Sequence, residues 1–532
     1  MRKQTKLVAV LSAAALLAMG ASMTSFADGW EKDDAGVWHY YDKDDEMVAG
    51  EWRKDGAKWF YLDDDGDMLT DAWVDDEYYV GADGAMLVNQ WAKTIADEDV
   101  SDPDEDGEHW YYFGSKGKKT TEDKKINGKT YYFNEDGEMQ DGWYEEDGDI
   151  YYLNGEDEGW RAQSQWLWLA KPDDDDDITG CDDECGICDE EGWYYFGSNG
   201  KLYKDAKKKK VNGKYYYFNE HGQMLYEWIN NAKVSVGSGA NLNAALDGNN
   251  AGASPSSMMY LNEVEDGSRA DGWYEIDGSQ DTNTDNDTDW YFFDKGEAKK
   301  AEDFITYDGD GDAVYREKFK IKASGNKYFC FDQYGRMRTG LQLLDDGFYY
   351  FDDNGYMKTG KVSNVEDDDD AFTFYFSTNN GGNGRGWTGD KSGYLYWNGK
   401  RLEADDEFRL YAYGDKTYLV NTSGKIQKSE SKKYDIESNA DELYVDFDGD
   451  QVIGLYKDKD HKEIYNNGRM KVTLPHIALY DYNYVATADG VVSSQSRSAN
   501  ETEVEIAAGD VTTAEVSGTD APKSANEVNI SK

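Results

Sequence analysis

The sequence predicts an all-β protein: a solenoid of stacked β-hairpin repeats of about 20 residues, with irregular insertions and a disordered C-terminal tail. Three observations carry this expectation. A run of aromatics, then an acidic or Asn-rich turn, then Gly-x-Met recurs along most of the 532 residues. Adjacent units start about 20 residues apart, too short a period for two helices. The composition, 42 Tyr, 17 Trp and 55 Gly against 5 Pro, suits strands and tight turns.

The elements follow in order. Residues 1–27 read as a secretory signal: Arg2, Lys3 and Lys6, then LVAVLSAAALLAMG, then Ser25-Phe26-Ala27 as a small-x-small cleavage site before Asp28. The apolar run is short for a membrane span of about 20 residues. Residues 28–100 hold Trp-rich repeats: WHYYDKDDEM (38–47), WFYLDDDGDM (59–68) and EYYVGADGAM (77–86). Residues 101–360 continue with TYYFNEDGEM (130–139), YYYFNEHGQM (215–224), KYFCFDQYGRM (327–337) and FYYFDDNGYM (348–357), with insertions between them. A Trp, often after Gly, separates units, as at Trp30, Trp52, Trp73, Trp91, Trp143, Trp228 and Trp273. Residues 361–430 keep only the aromatic strand and the Gly turn, and 431–490 alternates like strands outside the repeat. Residues 491–532 contain no aromatics and read as the disordered tail.

A lone hairpin is marginal in water, so each unit gains stability by stacking on its neighbours. A wide ring can bury one face between hairpins and keep a polar edge wet. The net charge of −53 repels nucleic acid and anionic lipid and favours cationic or neutral ligands. A longer period is also present. Residues 110–139 parallel 193–224, each a hairpin pair joined by a lysine-rich strap: Lys118, Lys119, Lys124 and Lys125 in the first, Lys207 to Lys210 in the second. The straps read as edge protection on an acidic surface, with an anionic-polymer site as the alternative.

GWEKDDAGVWHYYDKDDEM and GEWRKDGAKWFYLDDDGDMLTDAW resemble the choline-binding, or cell-wall-binding, repeats of Gram-positive surface proteins. INGKTYYFNEDGEMQDGW is similar to the glucan-binding repeats of streptococcal glucosyltransferases and to the carbohydrate-binding repeats of clostridial toxins. The resemblance covers about residues 29–430. It implies aromatic cages for a trimethylammonium, built from Trp30, Trp38, Trp52, Trp59 and Trp73, with Tyr61, Tyr79, Met47, Met68 and Met86 as walls. For later units it implies rings that stack on sugars, with Trp143, Tyr151, Trp193, Tyr216 and Trp273 as candidates. The implied protein is secreted, non-catalytic and attached non-covalently to the cell wall. Its partner would be teichoic acid choline, a peptidoglycan-associated polymer or a glucan, with no nucleic acid and no transmembrane segment after signal cleavage. The alternatives are an adhesin for glucans or host glycans, and a cell-wall hydrolase whose catalytic part is 431–490.

Neither cofactor, metal nor catalytic residues are expected. The 5 His are scattered, and none stands in H-E-x-x-H or H-x-x-x-H spacing. DGDGD (308–312) and DFDGDQ (446–451) lack the Gly and Glu placement of an EF-hand, and the runs 173–177 and 367–370 read as solvated acidic loops. Cys181, Cys185 and Cys188 lie in an acidic loop with no alternation of strands and helices around it, so a local disulfide or free thiols is expected there rather than an iron–sulfur site.

Overall fold

The computed structural model describes residues 29–95, 107–172, 178, 188–230, 258–277, 288–302, 305–307, 313–379, 383–414, 416–480, 482–487, 490–493 and 502–507. The expected signal, the insertion 231–257 and the acidic runs 173–177 and 308–312 lie outside them, as do Cys181 and Cys185. The chain divides into two units, residues 1–240 with 261–269 and residues 241–260 with 270–532. The described elements are strands, apart from short 3-10 turns such as Tyr465–Gly468 and Ala478–Tyr480. The all-β, hairpin-repeat expectation is met.

In the first unit eight antiparallel hairpins follow one another. They are Trp30–Lys32 with Trp38–Tyr40, Glu51–Asp55 with Lys58–Leu62, Ala72–Val74 with Tyr78–Val80, and Gln90–Thr94 with His109–Phe113. Lys124–Ile126 with Lys129–Tyr131, Trp143–Glu146 with Asp149–Tyr152, Gln165–Ala170 with Glu191–Phe196, and Ala206–Val211 with Lys214–Phe218 complete the series. Several second strands run into a turn that opens on Asp or Asn (Asp42, Asp63, Asn134, Asn219), and others into one that opens on Gly (Gly81, Gly114, Gly197). Asp63 Oδ1 accepts the amides of Asp65 (3.0 Å) and Asp67 (2.8 Å), and Asn219 Oδ1 accepts those of His221 (3.1 Å) and Gln223 (2.9 Å). Part of the acidity therefore caps turns that the backbone alone would leave unsatisfied.

After the turn comes the Gly-x-Met residue, and it ties hairpin to hairpin. Met68 pairs with Leu62 of its own unit and donates its amide to the Trp38 carbonyl of the hairpin before, at 2.9 Å. The amides of Met86, Lys119, Met139, Arg161, Leu202 and Met224 donate at 2.8 Å to the carbonyls of Trp59, Glu77, Trp110, Thr130, Ile150 and Trp193. The side chain at this position lies against the glycine of the next turn. A Cβ on Gly84 would fall 2.7 Å from Met68 Cε, and one on Gly117 2.6 Å from Met86 Sδ. Both glycines have positive φ, +71° and +78°, so the motif needs Gly for conformation and for space.

The second unit begins with the same grammar. Gly272–Ile276 pairs with Asp289–Asp294, and Gly340–Leu344 with Gly347–Phe351. The continuation is different. One hydrophobic core runs from Leu341 to Ile506. Its largest sheet orders Gln451–Tyr456, Ala440–Asp448, Tyr434–Ile436, Phe408–Tyr413, Arg469–Leu474 and Thr502–Ala507, with Lys416–Asn421 also paired to Phe408–Tyr413. Two contacts in it are parallel, Phe408 with Ile436 and Tyr411 with Thr473. Two expectations are corrected here. The boundary placed at 430/431 falls inside this sheet, so 361–430 and 431–490 are one folded body. Within the expected disordered tail, Thr502–Ala507 is a strand on Arg469–Leu474 with Ile506 fully buried.

In the acidic run 367–370, Asp368 to Asp370 are exposed at a hairpin turn, but Asp367 is buried, pairs with Lys400 at 2.6 Å and accepts the Leu479 amide at 2.7 Å. DFDGDQ makes a hairpin turn in which Asp448 faces Gln451.

Candidate functional site

The recurring aromatic pairs have a geometric cause. Neighbouring residues of a strand point to opposite faces, and a stacked hairpin has a neighbour on each face. In the third hairpin Tyr79 sits opposite its own Trp73, with ring centres 5.5 Å apart. The preceding residue, Tyr78, reaches back to Trp52 of the second hairpin, also at 5.5 Å. Tyr112 faces its own Trp91 at 5.0 Å, and Tyr111 reaches back to Trp73 at 4.8 Å. Tyr195 and Tyr194 do the same for Trp166 (5.0 Å) and Trp143 (4.9 Å). Each of these joints is thus a Trp, its cross-strand partner and one ring from the next hairpin, most pairs meeting edge to face, whereas the fifth and sixth hairpins meet through Tyr132, Tyr144 and Tyr151. Each such contact contributes about 0.5–1.5 kcal/mol beyond its area.

Most joints are closed by packing. Phe60 and Trp30 are buried at the first, Trp73 and Tyr111 at the third, and Tyr112 and Tyr131 around Trp91. At the Trp52–Tyr61–Tyr78 joint all three rings are part-exposed. Trp52 lies 5.2 Å from Tyr61 and 5.5 Å from Tyr78. Burial pushes the Tyr61 phenol above its ordinary pKa, and the carboxylates of Asp75, Asp64 and Asp63 push it further. The same negative field favours a cation at these rings.

This joint lies within residues 46–86, which match a family model described as a choline-binding repeat. A second model of that description matches 120–166, and one for a putative cell wall binding repeat matches 105–119, 187–202, 209–224 and 339–357. The chain carries choline-binding, or cell-wall-binding, repeats.

Among curated proteins, glucosyltransferase-S of Streptococcus mutans is 27% identical over 213 residues, 38% of this chain and 11% of that protein. Among solved structures, the modular autolysin LytC of Streptococcus pneumoniae is 21% identical, with TM-score 0.33 over 62% of this chain and 52% of that one. Choline-binding protein F of the same organism is 20% identical, with TM-score 0.19 over 76% and 100%. The chain therefore spans about a tenth of the glucosyltransferase and about half of the autolysin.

The expected ligand residues fall into four groups on these repeats. Trp30, Trp73, Tyr151 and Tyr216 are buried in the joints, as is Met68 beneath the next turn glycine. Trp143 and Trp273 are part-exposed but packed against Tyr194 (4.9 Å) and Phe329 (4.6 Å) of later hairpins. Trp38, Trp59 and Trp193 lie on the same face as the joint rings Trp30, Trp52 and Trp166, across the strand pair from Lys32, Lys54 and Trp168; Trp38 and Trp193 pack against the hairpin cores, and Trp59 is 40% exposed. There Lys32 Nζ stands 5.5 Å from the Trp38 ring centre and Lys54 Nζ 5.7 Å from that of Trp59. Trp52 and Tyr61 come together, with Met86 as the tie residue of their joint, whereas Tyr79 belongs to the Trp73 joint. The ring missed by sequence reasoning is Tyr78. Alternation along Tyr78-Tyr79 was the signal that could have found it.

The lysine straps are used internally. Lys119 pairs with Asp76 at 2.7 Å, Lys118 pairs with Glu77, and Lys209 Nζ lies 4.9 Å from the Tyr203 ring centre. In 431–490, His461 contacts the Asp446 carboxylate and stacks on Tyr456 with ring centres 4.8 Å apart. Among the described residues no group of three or more His, Cys, Asp or Glu is placed to hold a metal, and no helix is long and apolar enough to cross a membrane. Cys330 is a buried free thiol, and Cys188 Sγ accepts from Asn219 Nδ2 at 3.6 Å.

Proposed function

We propose that the protein is a secreted, non-catalytic cell-wall protein that attaches non-covalently to a glycopolymer bearing choline. The cation would enter the Trp52–Tyr61–Tyr78 joint. The observation that supports this most is the meeting of three part-exposed rings from two hairpins under the field of Asp63, Asp64 and Asp75. A trimethylammonium gains about 0.5–2 kcal/mol at each ring face, according to how far it is desolvated. Residues 1–27 would direct export. The test is retention of the full chain on choline-bearing walls and elution by free choline. Trp52→Ala and Tyr78→Ala are expected to weaken retention about tenfold or more. Equal retention of both variants at native circular dichroism would refute the assignment of this joint.

A second reading rests on the seventh hairpin. There Trp168 takes the place across the strand pair from Trp193 that Lys32 and Lys54 take across from Trp38 and Trp59. Trp168 is 43% exposed and meets Trp193 edge to face at 5.5 Å. Such a platform suits a sugar ring, so elution by glucan and not by choline would favour the glycan reading.

A further inference from the structure

Of the eight tie residues described along the first unit, four are Met (Met68, Met86, Met139 and Met224) and one is Leu202, but three are cations: Lys119, Arg161 and Arg269, the last with its guanidinium carbon 4.6 Å from the Tyr215 ring centre. All share one backbone position. The amides of Met86, Lys119 and Arg161 each donate at 2.8 Å to the hairpin before, and their side chains lie against Gly117, Gly137 and Gly200 of the next turn. What differs is the charge brought to the rings. Met86 brings a thioether to the Trp52 joint, where the cation lies off the tie position: Lys118, paired with Glu77, has Nζ 5.7 Å from the Tyr78 ring centre. Lys119 places Nζ 5.6 Å from the Trp73 ring centre, held by Asp76 at 2.7 Å, with its side chain only 12% exposed. Arg161 places its guanidinium carbon 5.4 Å from the Tyr151 ring centre and 5.9 Å from that of Tyr132, and NH1 donates to the Tyr132 hydroxyl at 2.8 Å.

We propose that Lys119 and Arg161 are built-in occupants of their joints, supplying the cation that a quaternary ammonium ligand would otherwise supply. The proposal rests on the choline reading above and adds which joints stay shut. A cation on a short tether is present at high effective concentration. An incoming ligand must displace it from the rings, break the Asp76 pair or the Tyr132 hydrogen bond, and bear the repulsion of a like charge. Joints tied by Met86, Met139, Met224 or Leu202 carry no charge at the tie position. Of these, the Trp52–Tyr61–Tyr78 joint has all three rings part-exposed, whereas the Met139-tied Trp91 joint is closed by packing. The Trp73 joint, next to the open one, and the Tyr132–Tyr144–Tyr151 joint are shut.

The experiment is a choline titration of the full chain by equilibrium dialysis, comparing wild type with Lys119→Met and Arg161→Met. Lys119→Leu is the second variant, because Leu202 fills the equivalent position naturally. Near-ultraviolet circular dichroism selects native protein. Each substitution is expected to add one bound choline, and the reverse change, Met86→Lys, to remove one. Choline binding by wild type with the same count in every native variant would overturn the proposal and leave the choline reading standing. Binding by the Lys119 variants but not by wild type would uphold the proposal and overturn choline as the native ligand. Absence of binding by every form would overturn both. If Lys119→Met does not fold, Lys119→Leu and Met86→Lys decide the matter by the same counts.

Discussion

Replacing Gly159 by Ala tests the tie that stacks the hairpins. Gly159 has φ +56°, and a Cβ there would stand 2.2 Å from Met139 Sδ, 2.4 Å from Cε and 2.7 Å from Cγ. Met139 is buried among Tyr112, Ile126, Tyr131 and Phe133, so most of the thioether must move and has little room to do so. The left-handed backbone costs an alanine about 1–2 kcal/mol, and overpacking a filled site about 1–3 kcal/mol more. The sum is about 2–5 kcal/mol, which is at least about thirtyfold in a local opening equilibrium. The assay is amide hydrogen exchange in the full chain, read at Arg161, which donates to Thr130 at 2.8 Å, and at Gln140, which donates to Tyr132 at 2.9 Å. Gly128→Ala is the control, because Gly128 has φ +89° with nothing within 4 Å of its Cβ. It is expected to show the backbone cost alone, at the hairpin turn. In a Met139→Ala background the Gly159→Ala penalty is expected to fall to about 1–2 kcal/mol. An equal penalty in both backgrounds would refute the steric account of the motif.

Three further outcomes are expected. Burial holds the phenols of Tyr111, Tyr349 and Tyr413 well above the usual tyrosine range. Their neutral forms are native, so stability is intact below about pH 10 and falls as pH rises above it towards the raised values. Tyrosinate absorbance from these residues should then appear together with loss of near-ultraviolet circular dichroism; ionisation in a folded protein near pH 10 would contradict it. Burial also pushes the Cys330 thiol up to about 12, so iodoacetamide at pH 8 should spare Cys330 until denaturant is added, as read by peptide mass spectrometry. Ile506→Ala should destabilise the second unit by about 2–5 kcal/mol, seen as a lower urea midpoint for the 341–506 core; an unchanged midpoint would mean that the last strand is dispensable.

The repeat, its turns and the interleaved Trp residues could be read from the sequence because each is local: the aromatic run, the Asx turn and Gly-x-Met sit within about ten residues. The partner of each ring was harder to read. Tyr79 reads as a cage wall and Tyr78 does not, yet Tyr78 is the ring that meets Trp52, because the motif displays both tyrosines side by side and only strand alternation separates them. Met68 and Met86 read as cage walls by resemblance, whereas the tie position uses them as packing under a glycine. In the second unit, the core from Leu341 to Ile506 is assembled from strands far apart in the chain, which local patterns do not encode. TEVEIA does alternate, and Ile506 is buried, but the lack of aromatics masked it as tail.

The tie hydrogen bonds set how the two units can be made. Met68 to Trp38, Met86 to Trp59 and Met139 to Trp110 each close over about 30 residues of chain. A hairpin leaving a ribosome or an export channel already has its docking partner outside, so the first unit can assemble one joint at a time in the order of its exit. The later core has no such freedom. The Tyr480 hydroxyl donates to the Leu341 carbonyl at 2.7 Å across 139 positions, and Arg469–Leu474 waits for Thr502–Ala507. Until Ala507 is out, apolar surface around Leu341 and Leu410 stays uncovered, and the exposed edge of Arg469–Leu474 can pair with another chain. Among the described strands, Thr502–Ala507 is the last to emerge, and its docking ends the interval in which that edge is open to aggregation.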